Sequence, residues 1–282
     1  MTTTQVFQYE GIEYQVPCHL LPDTGQAKGD DTSFDGPETD PGDNAALLLS
    51  PAQSTPLIHS LQAFQHALQG GHAPDVALCE TIRDSLVSEL TQRIDQLQYL
   101  SQLRVRDPFT YSHTLHVSAL SVALGMKVGL NQHEVQAIGL ASILHDLGKL
   151  FIPKPIMFKT SRLTEKEFEV MKLHPGIGYR IIRDQLKLSD AIARPALEHQ
   201  EMWGGGGYPQ NLKGNEIHPY SQIVKIADVY DALTSRRPYK DAIPSAKALA
   251  IMLSEGEKSF NPEYMEAFLT LANHEALVTA GS

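Results

Sequence analysis

From position 57 onward, apolar side chains recur every three or four residues along most of the chain, a spacing that lays a stripe down one face of an α-helix. The pattern predicts helices over 57–68 and 76–103, the second carrying Leu78, Ile82, Leu86, Leu90, Ile94, Leu97 and Leu100 in one stripe. Asp107-Pro108 signals a helix start, and Val117, Leu120, Leu124 and Val128 share a face in the helix that follows. The next helix opens at Asn131 and runs through Ile138 and Leu144 to His145, and Pro153 and Pro155 close the segment beyond it. Thr164 and Glu167 have capping-box spacing and start a helix that runs to His174-Pro175. Helical spacing continues over 177–186, 192–199, 221–234, 244–255 and 262–272.

Three stretches break the pattern. Val6 to Val16 alternates loosely around Gly11 and predicts a short hairpin. Pro22 to Asn44 is rich in Gly, Asp, Pro, Thr and Ser with almost no large apolar residue, so it cannot offset the entropy of ordering and reads as a disordered linker. The run Trp203-Gly204-Gly205-Gly206-Gly207-Tyr208-Pro209 must be a loop, since no regular element tolerates it. The expected organisation is an all-α protein with a small, partly disordered N-terminal region. Its parts are a segment at 1–21, an acidic linker at 22–50, a helical connector at 51–103 and the main helical domain at 104–282.

Composition narrows the function. With 282 residues and 42% hydrophobic content the chain can bury a substantial core. A net charge of −10 argues against nucleic-acid polymers and anionic membranes, because the phosphate-neutralising term is missing over most of the surface. Met1 to Glu10 has no basic start or apolar core, and no apolar run approaches the roughly 20 residues of a spanning helix. Cys18 and Cys79 show no metal-ligand spacing and read as reduced thiols, so a cytoplasmic location is expected.

Six residues sit where a helical core would prefer hydrocarbon: His113, His145, Asp146, His174, His199 and Asp228. Any one of them alone is most simply a satisfied core residue. Taken together, four imidazoles and two carboxylates suit a two-metal centre of the Fe, Mn or Zn type, in which one carboxylate bridges.

Over about 106–271 the sequence resembles the HD-GYP subgroup of the HD phosphohydrolase superfamily. The motifs are His145-Asp146-Leu147-Gly148-Lys149, His174-Pro175-Gly176-Ile177-Gly178, Gly207-Tyr208-Pro209, and Ala227-Asp228-Val229-Tyr230-Asp231-Ala232-Leu233 through Arg237-Pro238-Tyr239. Residues 1–102 are not covered. The resemblance implies an HD-type helical bundle that hydrolyses cyclic di-GMP to pGpG or GMP with two divalent metals, Fe or Mn, and a metal-bridging hydroxide. It implies that His113, His145, Asp146 and Asp228 hold one metal and that Asp146, His174 and His199 hold the other. Asp146 bridges, and Lys149 contacts the phosphate or the nucleophile. Tyr208, Arg237 and Lys240 border or grip the substrate, with Arg suited to bidentate phosphate recognition. The Gly207-Tyr208-Pro209 loop is also a contact surface proposed for GGDEF-domain cyclases, and the leucine stripe permits a homodimer.

Three departures from the family pattern stand out. Phe109 replaces a glutamate that recruits a third metal in some members, so two metals are expected. Gln200 stands where a second histidine is usual, and its neutral amide is a poor ligand for a transition metal. Gly204 stands where an aspartate is usual. The last two favour an alternative, a catalytically impaired module that binds a cyclic dinucleotide or a GGDEF partner as a sensor or scaffold. A second alternative is hydrolysis of another cyclic dinucleotide such as cyclic GMP-AMP.

Overall fold

The computed structural model describes residues 4–9, 12–17, 51–70, 72, 74–93, 111–235 and 242–279. The expected linker, the end of the leucine stripe beyond Arg93, Phe109, Arg237 and Lys240 lie outside the described residues. Near the N-terminus β1 (Thr4–Tyr9) and β2 (Ile12–Pro17) form an antiparallel pair with Tyr9 opposite Ile12 and Phe7 opposite Tyr14. All other regular structure among the described residues is helical.

Helices α1 (Pro51–Gln69), α2 (Val76–Arg93), α3 (Tyr111–Lys127) and α4 (Gln132–Leu144) come first. In α2, Ile82, Leu86 and Leu90 are fully buried in one core with Leu61 and Phe64 of α1 and Leu115, Leu124 and Ile138 of α3 and α4. The described half of the stripe is thus spent inside the chain, and these three residues offer no face to a second copy. Asn131 starts α4 with its side chain accepting from the His133 and Glu134 N–H groups, while Glu134 accepts from the Asn131 N–H.

A 3₁₀ turn (Leu147–Phe151) follows His145-Asp146, so Lys149 lies on this tighter turn rather than on a continued α-helix. The turn ends at Phe151 with Ile152 as its cap, directly before Pro153, where the prolines were expected to close the segment. The same prolines also open the short α5 (Lys154–Met157), because a proline in the first turn has no N–H to leave unpaired. Thr164 and Glu167 form the expected capping box at the head of α6 (Glu165–Met171). That helix does not run through to His174. It stops at Met171, and His174 begins α7 (His174–Arg180) with Pro175 in its first turn, where the ring is tolerated. A π-turn (Ile181–Gln185) extends α7, and α8 (Asp190–Glu198), α9 (Pro219–Thr234), α10 (Ser245–Glu255) and α11 (Pro262–Thr279) complete the bundle. Helix α3 packs on α4 and α9, and α8 packs on α4, α7 and α9, so α8 links α7 to the α3–α4–α9 group.

Candidate metal centre

The six residues singled out in the sequence converge. His145, His174 and His199 are 0%, 1% and 1% exposed, and the His145 ring lies 5.6 Å from that of His113 and 5.1 Å from that of His199, centroid to centroid. Among the described residues, three overlapping sets place their ligand atoms within 4.8 Å of one another: His113, His145 and Asp146; His145, His199 and Asp228; and Asp146, His174 and His199. The last set matches the expected second metal. The expected first metal is divided between the other two sets, which share His145.

Helix ends explain how the rings are aimed. The last carbonyls of a helix have no intrahelical partner, and a carbonyl that is already bonded, as Pro195 is by the His199 N–H at 3.0 Å, has a second lone pair for a ring. His145 follows α4 and its Nδ1 donates to the Ser142 carbonyl at 2.7 Å; His199 follows α8 and donates to Pro195 at 2.8 Å; His174 follows α6 and donates to Met171 at 2.8 Å. Each ring therefore carries its proton on Nδ1 and turns a bare Nε2 inward. His113 lies instead in the first turn of α3, where the free backbone groups are donors. Its Nδ1 is held by a carboxylate from another helix, Asp231 of α9, at 2.6 Å, and its Nε2 points at Asp146 and Asp228, 3.6 and 3.5 Å away.

Asp231 is 3% exposed and also accepts from His116 Nδ1 at 3.0 Å and the Ser235 hydroxyl at 2.7 Å. His116 is thus a satisfied buried histidine. Asp231 was given no role from the sequence, although its spacing of three from Asp228 on one helix places both carboxylates on the same face.

These atoms fit a cation. The Nε2 atoms of His174 and His199 face each other at 3.2 Å with both protons already committed to carbonyls on the Nδ1 side. Two lone pairs cannot share that gap without a positive centre. Buried His145 Nε2 and Asp146 Oδ1 have no hydrogen-bond partner, although Asp146 Oδ1 lies 3.4 Å from His199 Nε2 and 3.7 Å from His174 Nε2. The donors are nitrogen and oxygen with no thiolate, a set that suits Fe, Mn or Zn.

Titration follows from the same geometry. Burial opposes charge on His113, but nearby Asp146 and the Asp231 hydrogen bond prevail and raise its pKa to about 9, so without metal it is the resident cation. Burial and the neighbouring Lys149 charge push His174 down to about 3, and burial lowers His199. Burial works against ionised Asp146, yet Lys149, whose amine bonds its Oδ2 at 2.5 Å, leads the groups that hold it well below the usual carboxylate range. Asp228 is likewise lowered against its burial, chiefly by His113. Metal binding would displace the His113 Nε2 proton.

Backbone approach sets the spacing. A Cβ on Gly148 would lie 1.9 Å from the His174 carbonyl oxygen and 2.7 Å from the Gly178 nitrogen, so only glycine lets the Asp146 turn lie on α7. A Cβ on Gly207 would lie 2.4 Å from Glu201 Cα. The Gly207-Tyr208-Pro209 loop is thereby laid on residues 200–202, with a cis bond between Tyr208 and Pro209 and the Tyr208 N–H donating to the Gln200 carbonyl. Buried Glu201, unnoticed in the sequence, accepts from the Gln210 N–H at 2.6 Å and the Leu212 N–H at 3.1 Å, and burial pushes its carboxyl upward. The loop sets the Tyr208 ring edge-on to His174 at 6.5 Å. Burial, then the charges of Asp146 and Asp228, keep the Tyr208 hydroxyl protonated. Gly204 has a packing reason: its N–H donates to the Lys258 carbonyl, and a Cβ there would come within 3.1–3.3 Å of the backbone at Glu257 and Lys258.

A helical bundle with a buried His-Asp cluster at its helix ends defines an HD-type protein, and the HD domain family model matches residues 88–264. The chain belongs to this family, and its ordered motifs place it in the HD-GYP group. It is 34% identical over 226 residues to cyclic di-GMP phosphodiesterase PA4108 of Pseudomonas aeruginosa, covering 80% of this chain and 53% of that one. It is 41% identical over 183 residues to a cyclic di-GMP phosphodiesterase of Thermotoga maritima, covering 64% of this chain and 49% of the relative. The chain thus spans about half the length of these relatives. Among solved structures, Bd1817, an HDG"Y"P protein from Bdellovibrio bacteriovorus, superposes with a TM-score of 0.62 at 18% identity over 89% of this chain and 75% of its own. Among the described residues no helix is long and apolar enough to cross a membrane.

Proposed function

We propose that this chain is a metal-dependent phosphodiesterase that hydrolyses cyclic di-GMP to pGpG, GMP or both. The observation that carries the reading is the pair of bare imidazole nitrogens 3.2 Å apart beside an unpaired Asp146 oxygen. Two relatives named cyclic di-GMP phosphodiesterases supply the substrate class. In this reading 104–282 is the catalytic unit, 51–103 is its connector, and the protein is cytoplasmic and bacterial.

His113, His145, Asp146 and Asp228 would hold one divalent ion and Asp146, His174 and His199 the other, Fe or Mn being preferred by the donor set. When bound, such ions supply a nucleophile at neutral pH and offset charge developing on a phosphodiester. The chain's own residues orient and exclude. Lys149 holds Asp146 and lies within reach of a phosphate oxygen. Tyr208 borders the substrate with a hydroxyl that remains a donor, and Arg237 and Lys240 grip phosphate. The Gly207-Tyr208-Pro209 loop would also be the contact for a GGDEF-domain partner, and a homodimer would use a surface other than Ile82, Leu86 and Leu90.

A second reading, a binding module with impaired catalysis, rests on Gln200, which replaces an imidazole with an amide beside His199. Anaerobic loading with Fe(II) or Mn(II), incubation with cyclic di-GMP alone and against cyclic GMP-AMP, and chromatography of products separate the two. The hydrolase reading expects pGpG or GMP. Binding without turnover overturns it, and turnover gained by Gln200→His would locate the defect.

A further inference from the structure

Phe168 is 44% exposed on α6, in a run that is otherwise mostly charged. A single exposed phenylalanine is ordinary, but this ring is the outermost of three that lead away from the metal centre. It meets Tyr208 edge-to-face at 6.0 Å, and Tyr208 meets His174 at 6.5 Å. The Lys172 amine lies 5.5 Å from the Phe168 ring centroid and is itself paired with Glu169 at 2.6 Å. Each member is fixed by a separate device. Phe168 rides on a helix started by the Thr164–Glu167 capping box, with Glu167 also paired to Lys159. Tyr208 rides on a loop whose backbone is fastened by the buried Glu201 carboxylate.

We propose that Phe168 and Tyr208 form a base-stacking subsite at the mouth of the metal centre, with Glu201 as the positioning residue for its Tyr208 half. The inference rests on the phosphodiester reading, since the subsite takes a base of the nucleotide whose phosphate reaches the cluster. Flat π-faces next to an anion-binding centre suit a base joined to a phosphate, because every base presents a face that stacks on an aromatic ring. Stacking is tolerant of sequence, so the subsite selects for a base over none.

The test titrates metal-loaded full chain with a phosphorothioate analogue of cyclic di-GMP and, separately, with inorganic phosphate. Phe168→Ala should weaken the dinucleotide about tenfold and leave phosphate affinity and metal content unchanged, while Phe168→Trp retains dinucleotide binding. Glu201→Gln should show the same selective loss, because an amide cannot offer two carboxylate oxygens to the Gln210 and Leu212 N–H groups; its melting temperature checks that the fold persists. Unchanged dinucleotide affinity in Phe168→Ala overturns the subsite, as does a wild type that binds phosphate but no dinucleotide. Loss of phosphate along with dinucleotide in Glu201→Gln overturns the positioning role. Tight binding of the analogue with no turnover of cyclic di-GMP removes the hydrolase reading alone and leaves the subsite standing.

Discussion

Replacing Asp231 with asparagine changes one buried atom's chemistry without changing its shape. The carboxylate accepts from His113 at 2.6 Å, His116 at 3.0 Å and Ser235 at 2.7 Å. The amide keeps one accepting oxygen and turns an NH₂ toward another donor, so at least one charge-assisted bond is lost in a residue 3% exposed. That loss costs about 1–3 kcal/mol of stability in the metal-free protein. The larger effect falls on the metal. His113 has no carbonyl to fix its tautomer, and loss of such an outer partner typically weakens metal binding about 10–100-fold, or ~1.4–2.7 kcal/mol. In the Asp146–His174–His199 set the rings are aimed by carbonyls and Asp146 is held by Lys149, so that set should keep its ion. Equilibrium dialysis against buffered Mn(II), read by elemental analysis, should show the wild type filling two sites and Asp231→Asn losing one of them first. Ser235→Ala, which removes only a donor to Asp231, should shift the curve less than about threefold, because the carboxylate stays in place and keeps its bond to His113 Nδ1. An Asp231→Asn curve that coincides with wild type, or with Ser235→Ala, refutes the positioning of His113 by Asp231.

Other consequences follow from the same distances. Gly148→Ala drives a methyl group into the His174 carbonyl and should destabilise by about 3 kcal/mol or more, read as a lower urea midpoint; a shift within error would mean that the Asp146 turn can leave α7 freely. Removing metal with a chelator should lower the melting temperature by about 5–10 °C relative to protein at a hundredfold excess over the dissociation constant, and an unchanged transition would rule out a metal that binds the folded chain selectively. Glu167 is lowered to about 2 by the Lys159 pair foremost and then by Thr164. Its folded pKa is depressed, so its contribution to α6 is complete above pH 4.5 and is lost as pH falls toward 2. Protection factors of the α6 amides should fall across that window and lose the pH dependence in Glu167→Gln; the same slope in the variant would assign it to another group.

How much of this centre could be read from the sequence depends on what kind of partner each residue needed. Helix starts marked by side chains were legible: Asn131 with Glu134 and Thr164 with Glu167 both form the boxes their spacing implies. The break before His174 was not, because Pro175 can either end a helix or sit in the first turn of the next, and only packing chose the second. The six candidate ligands stood out because each is costly to bury without a partner. The aim of their rings was hidden for a related reason. Three histidines are oriented by backbone carbonyls at Ser142, Met171 and Pro195, and a carbonyl leaves no mark on residue identity. The rule behind them is nonetheless local: an imidazole just past a helix C-terminus finds a last-turn carbonyl three or four residues back with a lone pair to spare. A histidine in a first turn has such a carbonyl only where another helix ends directly before it, as α6 does before His174. His113 therefore required a carboxylate from elsewhere, and a second aspartate three residues after Asp228 was the residue able to supply it.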